Sequence, residues 1–250
     1  MEWRDEALIL SARPLGENAK IVGVLTPREG RAAGLVRGAR SKAMRALVQP
    51  GNRVQATWRA RLDDQLGTLA LEMIEARAGL IMETPWGAFG IAAMAALLEF
   101  LPERDPHPRL YAAANALIAA FALPAAAGEA GVRFELILLD EFGFGLDLTR
   151  CAATGASDDL AYVSPRTGRA VGRGPGAPYA DRLLRLPDFL KRDVPVDAGS
   201  LADGYRLTGH FLATHVAGLA NKPLPPARER FVRAVLRALA RHADGPPIPA

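Results

Sequence analysis

Residues 28–45 read REGRAAGLVRGARSKAMR, from Arg28 through Gly30, Gly34, Arg37, Gly38, Arg40, Ser41 and Lys42 to Arg45. Six of these residues are basic (Arg28, Arg31, Arg37, Arg40, Lys42, Arg45) against the single acid Glu29, and three glycines interrupt them. An interior glycine destabilises a helix by roughly 0.5–1 kcal/mol relative to alanine, so three of them argue against a helix with a charged face. The stretch reads as a strand running into a basic loop. Its small residues let the backbone come close to a ligand, and its charge makes that ligand a polyanion.

The neighbouring sequence repeats the strand signal. Short apolar runs occur at Ala7–Leu10, Ile21–Leu25, Ala32–Val36, Val54–Trp58 and Leu69–Ile74. The breaks between them carry turn residues, as in Pro14-Leu15-Gly16-Glu17-Asn18, Pro27-Arg28-Glu29-Gly30 and Pro50-Gly51-Asn52. Five short strands suit a small closed barrel. An OB-fold is the first candidate, because that barrel presents a strand face and loops to oligonucleotides. A β-sandwich or an SH3-like barrel fits the strand count almost as well.

Beyond Pro85 the pattern becomes helical. Gly87–Leu101 is apolar nearly all round, predicting a buried helix that Pro102 ends. Leu110–Phe121 and Val132–Phe142 follow as helices, separated by an alanine-rich loop around Pro124, with Gly143 and Gly145 stopping the third. Residues 147–179 are rich in glycine and proline, with only Leu160–Val163 resembling a strand, and read as an excursion from the helical body. Helix resumes at Pro187–Lys191, Ser200–Leu219 and Pro226–His242. The expected organisation is α+β: a β-barrel domain over 1–78, a helical domain over 84–243 interrupted by an insertion over 147–180, and a proline-rich flexible tail over 244–250.

The charge is unevenly spread. Met1 to Leu62 carries 12 Lys/Arg against 5 Asp/Glu, while the remainder is slightly acidic. A local basic excess favours nucleic acid, through phosphate neutralisation and counterion release. An anionic membrane is the competing polyanion. The N-terminal MEWRDEALIL carries acids and lacks a signal peptide's apolar core, and no apolar run reaches about 18 residues, so a cytoplasmic protein without membrane attachment is expected.

Other constellations weigh less. Trp58 on a predicted strand could stack on bases, but a large aromatic more often fills a small core. Cys151 is the only cysteine and no histidine stands beside it in the excursion, so no metal and no cofactor are expected. His107, His210, His215 and His242 form no metalloprotease pattern, and Asp63-Asp64 and Asp158-Asp159 read as solvated pairs at turns. Gly38–Lys42 lacks the spacing of a phosphate-binding loop with GxxxxGK[ST]. No nucleophile, base and orienter stand together, which gives enzymatic activity no support. Arg133 in Arg133-Phe134-Glu135 could clamp a carboxylate or pair with Glu129 or Glu135. Arg230, Arg233, Arg237 and Arg241 make a stripe that is most simply the solvent face of an amphipathic helix.

With these residues in hand, the chain resembles the RecO family of bacterial recombination mediators along most of its length. The resemblance rests on Ser11-Ala12-Arg13-Pro14 with Glu17, on Thr26-Pro27-Arg28-Glu29-Gly30-Arg31 through Arg37-Gly38-Ala39-Arg40-Ser41-Lys42, on Arg133-Phe134-Glu135 to Gly143-Phe144, and on Asn221-Lys222-Pro223-Leu224. It implies an N-terminal OB-fold followed by a helical domain with a zinc-ribbon-like insertion. It also implies annealing of complementary strands without nucleotide hydrolysis, together with RecR and single-stranded DNA-binding protein (SSB), with RecF as a further candidate partner, at the bacterial nucleoid. Here the insertion lacks its cysteines: Cys151 stands at the first ligand position, Thr154 at the second, and the later pair falls near Gly172 and Pro175. The candidate DNA-binding residues are Arg13, Lys20, Arg31, Arg37, Arg40, Lys42 and Arg45. The family docks the acidic C-terminal tail of SSB on its helical domain, which the resemblance places at Arg133 and Lys222. An RNA-binding OB protein without annealing activity is the competing reading.

Overall fold

The computed structural model describes residues 1–61 and 66–243, with side chains described as far as Arg241. Asp63-Asp64, the side chain of His242 and the 244–250 tail lie outside the described residues. Contacts divide the chain into two compact units, Met1–Phe121 and Ala122–Ala250.

All five apolar runs of the first unit are strands: β1 (Glu2–Leu15), β2 (Ala19–Thr26), β3 (Gly30–Arg37), β4 (Arg53–Arg59) and β5 (Gly67–Glu75). They close into a barrel in the order β1-β2-β3-β5-β4, with β1 also pairing β4. This is the OB-like barrel expected from the strand count. Every pairing is antiparallel except β3 with β5, a short parallel seam of Gly34 with Gly67 and Leu35 with Thr68.

Burial follows the period of two that a strand imposes. On β3, Ala32 and Val36 enter the core while Arg31, Leu35 and Arg37 lie on the outer face. Ala7 and Ile9 of β1 point into the barrel, and Leu8 and Leu10 on the opposite face are also buried. A second cover explains that continuous apolar run, since α3 (Gly87–Leu98) packs on β1 and α4 (Pro108–Ala119) on β2. Trp58 is 1% exposed, donates its indole N–H to the Ala33 carbonyl at 2.9 Å and stacks on Trp3 at 6.0 Å. Its role is core packing, and no base can reach its ring.

The second half of the opening stretch departs from expectation. In place of a loop through Arg45, the chain turns at Gly38–Ser41 and forms the helix α1 (Lys42–Leu47). Ser41 caps it, accepting from the Met44 N–H at 3.1 Å, and Lys-Ala-Met-Arg-Ala-Leu are all good helix formers. Asn52, buried at the start of β4, donates to the Ala46 and Leu47 carbonyls at the end of α1. The same side chain accepts from Arg77 and Ala78 at the start of α2 (Ala78–Met82).

The second unit opens with α5 (Pro124–Glu141), which corrects the alanine-rich loop around Pro124. Proline is tolerated at the first helical position, where its missing N–H has no helical partner, and the alanines continue the helix. Arg133-Phe134-Glu135 therefore lies mid-helix. At the other end the expected glycine cap is present: Gly143 has φ +79°, its N–H reaches the Asp140 carbonyl and that of Phe144 reaches Leu139, both at 2.8 Å.

The insertion is more ordered than its composition suggests. Its three-stranded sheet β7-β6-β8 comprises β6 (Leu160–Val163), β7 (Ala170–Gly172) and β8 (Leu184–Arg185), with the short helix α6 (Arg173–Gly176) after β7. Pro187–Lys191 contains only a 3-10 turn, Asp188–Leu190. The following helix is α7 (Ala198–Phe211), capped by Asp197, and it passes into a π-helical segment, Leu212–Ala217. The last is α8 (Pro226–Ala243). The bundle of α5, α7 and α8 is pinned by Arg228 of α8, which holds Glu135 of α5 through two bonds of 2.8 Å and donates to the Tyr205 carbonyl of α7.

Candidate nucleic-acid interface

The cations of residues 28–45 divide into two groups. Arg28 donates from Nε and Nη2 to Oδ1 of buried Asp5 at 3.1 and 2.9 Å and closes the β2–β3 turn against β1. The Asp5 hydrogen bond and charge raise the Arg28 pKa. Arg31 donates to the Leu101 carbonyl at 3.2 Å and approaches Glu103 at 3.3 Å. Both are fastenings of the barrel.

Arg37, Arg40, Lys42 and Arg45 form the other group, where β3 runs into α1. Gly38, at φ +70°, turns the chain, and Ala39 N–H bonds to the Asn18 carbonyl at 3.2 Å, which ties this turn to the β1–β2 turn. Arg40 reaches Glu17 of that turn at 3.3 Å, an exposed pair worth about 0–1 kcal/mol. Lys42 and Arg45 stand three apart on α1, both exposed, so they share a helix face. Among the described residues, no ion pair engages Arg37, Lys42 or Arg45.

Two further candidates lie apart. Arg13 pairs with Glu99 of the same unit at 3.2 Å and is opposite Ile21 on the outer face. Lys20 is opposite Val36, so it leaves the sheet on the other side from Arg37. The structure thus brings together Arg37, Arg40, Lys42 and Arg45, and separates Arg31, Arg13 and Lys20 from them. Sequence reading missed Asn52, which holds the end of α1. The Pro-Gly-Asn turn marked its position but not its partners.

Arg133, half-exposed on α5, donates to Glu129 at 2.8 Å and to the Phe189 carbonyl at 2.7 Å. It uses two of a guanidinium's five donors. Lys222 is exposed in the turn that leads to α8, next to Asn221 with φ +55°. Arg230, Arg233, Arg237 and Arg241 are exposed on α8, with Arg233 paired to Glu229 one turn earlier on the same helix.

Thr154, Gly172 and Pro175 come together around Cys151, which is 1% exposed. Its sulfur accepts from the Gly172 N–H at 3.2 Å, and Pro175 Cδ lies 3.5 Å from where a Gly172 side chain would begin. Hydrogen bonding from the Thr154 hydroxyl, then from Gly172, lowers the thiol pKa to about 7. One sulfur and one hydroxyl do not make the four-ligand set of structural zinc. Hydrogen bonds and packing hold the site. Among the described residues, no three His, Cys, Asp or Glu are grouped to hold a metal ion, and no helix is long and apolar enough to cross a membrane.

Comparison with known proteins agrees over both units. The sequence model described as "Recombination protein O N terminal" matches residues 1–77, and that described as "Recombination protein O C terminal" matches residues 87–225. The DNA repair protein RecO of Agrobacterium fabrum is 50% identical over 248 residues, covering 98% of both chains. That of Sinorhizobium medicae is 50% identical over 240 residues, 96% of both. That of a Chelativorans species is 48% identical over 248 residues, 98% of this chain and 100% of the relative. The chain belongs to the RecO family of DNA repair proteins.

Proposed function

We propose that the protein is a recombination mediator that grips single- and double-stranded DNA and anneals complementary strands coated with SSB. It acts by binding rather than by turnover, with RecR and with RecF as a further partner, in the bacterial cytoplasm at the nucleoid. The observation that carries the DNA reading is the group Arg37, Lys42 and Arg45, which no ion pair engages among the described residues, on a strand end and a helix clamped by Ser41 and Asn52. Cations already neutralised by protein acids gain little from a phosphate, whereas these three release counterions on contact. Their contacts read no bases, so little sequence preference follows.

Delivery to SSB-coated strands is assigned to the second unit. Arg133 offers a terminal carboxylate its remaining donors, and Lys222 adds a second charge. The test is annealing of complementary oligonucleotides coated with SSB. The protein is expected to accelerate pairing at catalytic-free, near-stoichiometric amounts, and unchanged pairing would contradict the reading. Preference for structured RNA in competition would favour an RNA-binding role instead.

A further inference from the structure

Beside the cation group, the barrel wall has an opening. Pairing of β3 with β5 covers only two positions, and beyond Leu35 and Thr68 the two strands diverge. On the other side β5 continues along β4, with Ala70 opposite Thr57 and Leu71 opposite Ala56. The divergence leaves an open cleft of about 570 Å³ lined by Leu35, Arg37, Met44, Thr57, Ala70 and Leu71. Met44 of α1 and Leu71 pack against the barrel core, so the floor is built and continuous with it. The volume is within the roughly 300–1,000 Å³ of clefts that hold small ligands.

We propose that this cleft takes one unstacked base of single-stranded DNA. The inference rests on the DNA reading above and extends it from phosphates to bases. Arg37 belongs to both features, being an exposed unpaired cation and part of the cleft lining, so a strand whose phosphate it holds presents the adjoining base to the opening. Leu35, Met44 and Leu71 supply aliphatic walls, and a thioether makes favourable contacts with aromatic rings. Thr57 carries a hydroxyl that both donates and accepts, so it meets the edge of any base without selecting one. A duplex keeps its bases paired and stacked, and extruding one opposes binding. The cleft therefore favours single strands, while the cations serve both forms of DNA.

The test uses the full chain and an oligonucleotide in which 2-aminopurine is flanked by adenines, whose fluorescence rises when the base leaves the stack. Ala70→Ile fills the opening at an exposed strand position with a β-branched residue and no change of charge. Wild type should give the rise. Ala70→Ile should abolish it and weaken single-strand binding about tenfold, which is roughly 1.4 kcal/mol. Duplex affinity, salt dependence and melting temperature should be unchanged. Thr57→Ile, at the cross-strand neighbour of Ala70 on the same face, should behave alike. Binding by wild type without a fluorescence rise, or both variants retaining rise and affinity, overturns the cleft alone. Failure of wild type to bind either form of DNA overturns the DNA reading and the cleft with it.

Discussion

Arg228 and Glu135 meet side by side across 93 residues of chain, Nε to Oε1 and Nη2 to Oε2, each at 2.8 Å. Their side chains are 12% and 4% exposed, and Thr208 Oγ1 also donates to the carboxylate. Removing one partner leaves a charge buried without its counterion, which destabilises by about 3–5 kcal/mol. Glu135→Ala and Arg228→Ala should each lower the unfolding free energy obtained from urea titration by that measure. The pair Glu135→Leu with Arg228→Met should be less destabilised than either alone, and simple additivity would contradict the account of the pair.

Two glycines with similar backbones should respond differently. Gly30 has φ +65° and a side chain there would begin 2.0 Å from the Asp105 carbonyl oxygen, whereas Gly38 has φ +70° with nothing within 4 Å. Gly38→Ala should lose only about 1 kcal/mol, from the left-handed conformation. Gly30→Ala must displace backbone as well and should lose at least about twice that. Thermal unfolding of the two variants checks the order.

Cys151 should titrate in the neutral range. Its thiol pKa is lowered from 9.0 to about 7, the Thr154 hydroxyl being the largest cause. Because the folded pKa is depressed, the fold favours the thiolate. The stability this adds is fully present above pH 9 and lost as pH falls through about 7. Thiolate absorbance, taken as the difference between wild type and Cys151→Ser, should rise with a midpoint near pH 7. Thr154→Val should move the midpoint upward.

Arg133→Ala should weaken binding of an SSB tail peptide about tenfold or more while leaving affinity for naked DNA unchanged, as expected for loss of a charge-assisted contact. Its bonds to Glu129 and Phe189 are partly exposed, so the variant should lose only about 1 kcal/mol of stability. Peptide titration by fluorescence anisotropy separates the two effects, and equal peptide affinity would remove Arg133 from the tail site.

The barrel was legible because its five apolar runs are separated by turns rich in glycine, proline or asparagine, and each run fits a half-buried strand. The helix α1 was not, because glycines and cations upstream obscured the cap at Ser41. Pro124 was read as a break although it opens a helix, since proline signals both. The division among the cations could not be read at all. Arg28 is neutralised by Asp5, 23 residues away, and Arg31 is fastened to Leu101, 70 residues away. Local charge shows how many cations are present, and only tertiary contacts show which are free. The insertion was the converse case, since its single cysteine was plain in the sequence and the convergence of Cys151, Gly172 and Pro175 required the folded chain.

The most direct test of the DNA-gripping surface is the salt dependence of single-strand binding. Each cation that displaces a counterion from a single strand contributes about −0.7 to the slope of log affinity against log salt. Replacing Arg37, Lys42 and Arg45 together by alanine should make the slope shallower by about 2. Arg28→Gln, which alters a cation already neutralised by Asp5, should leave the slope where it was. A triple variant that keeps the wild-type slope and affinity would contradict the assignment of this surface to DNA.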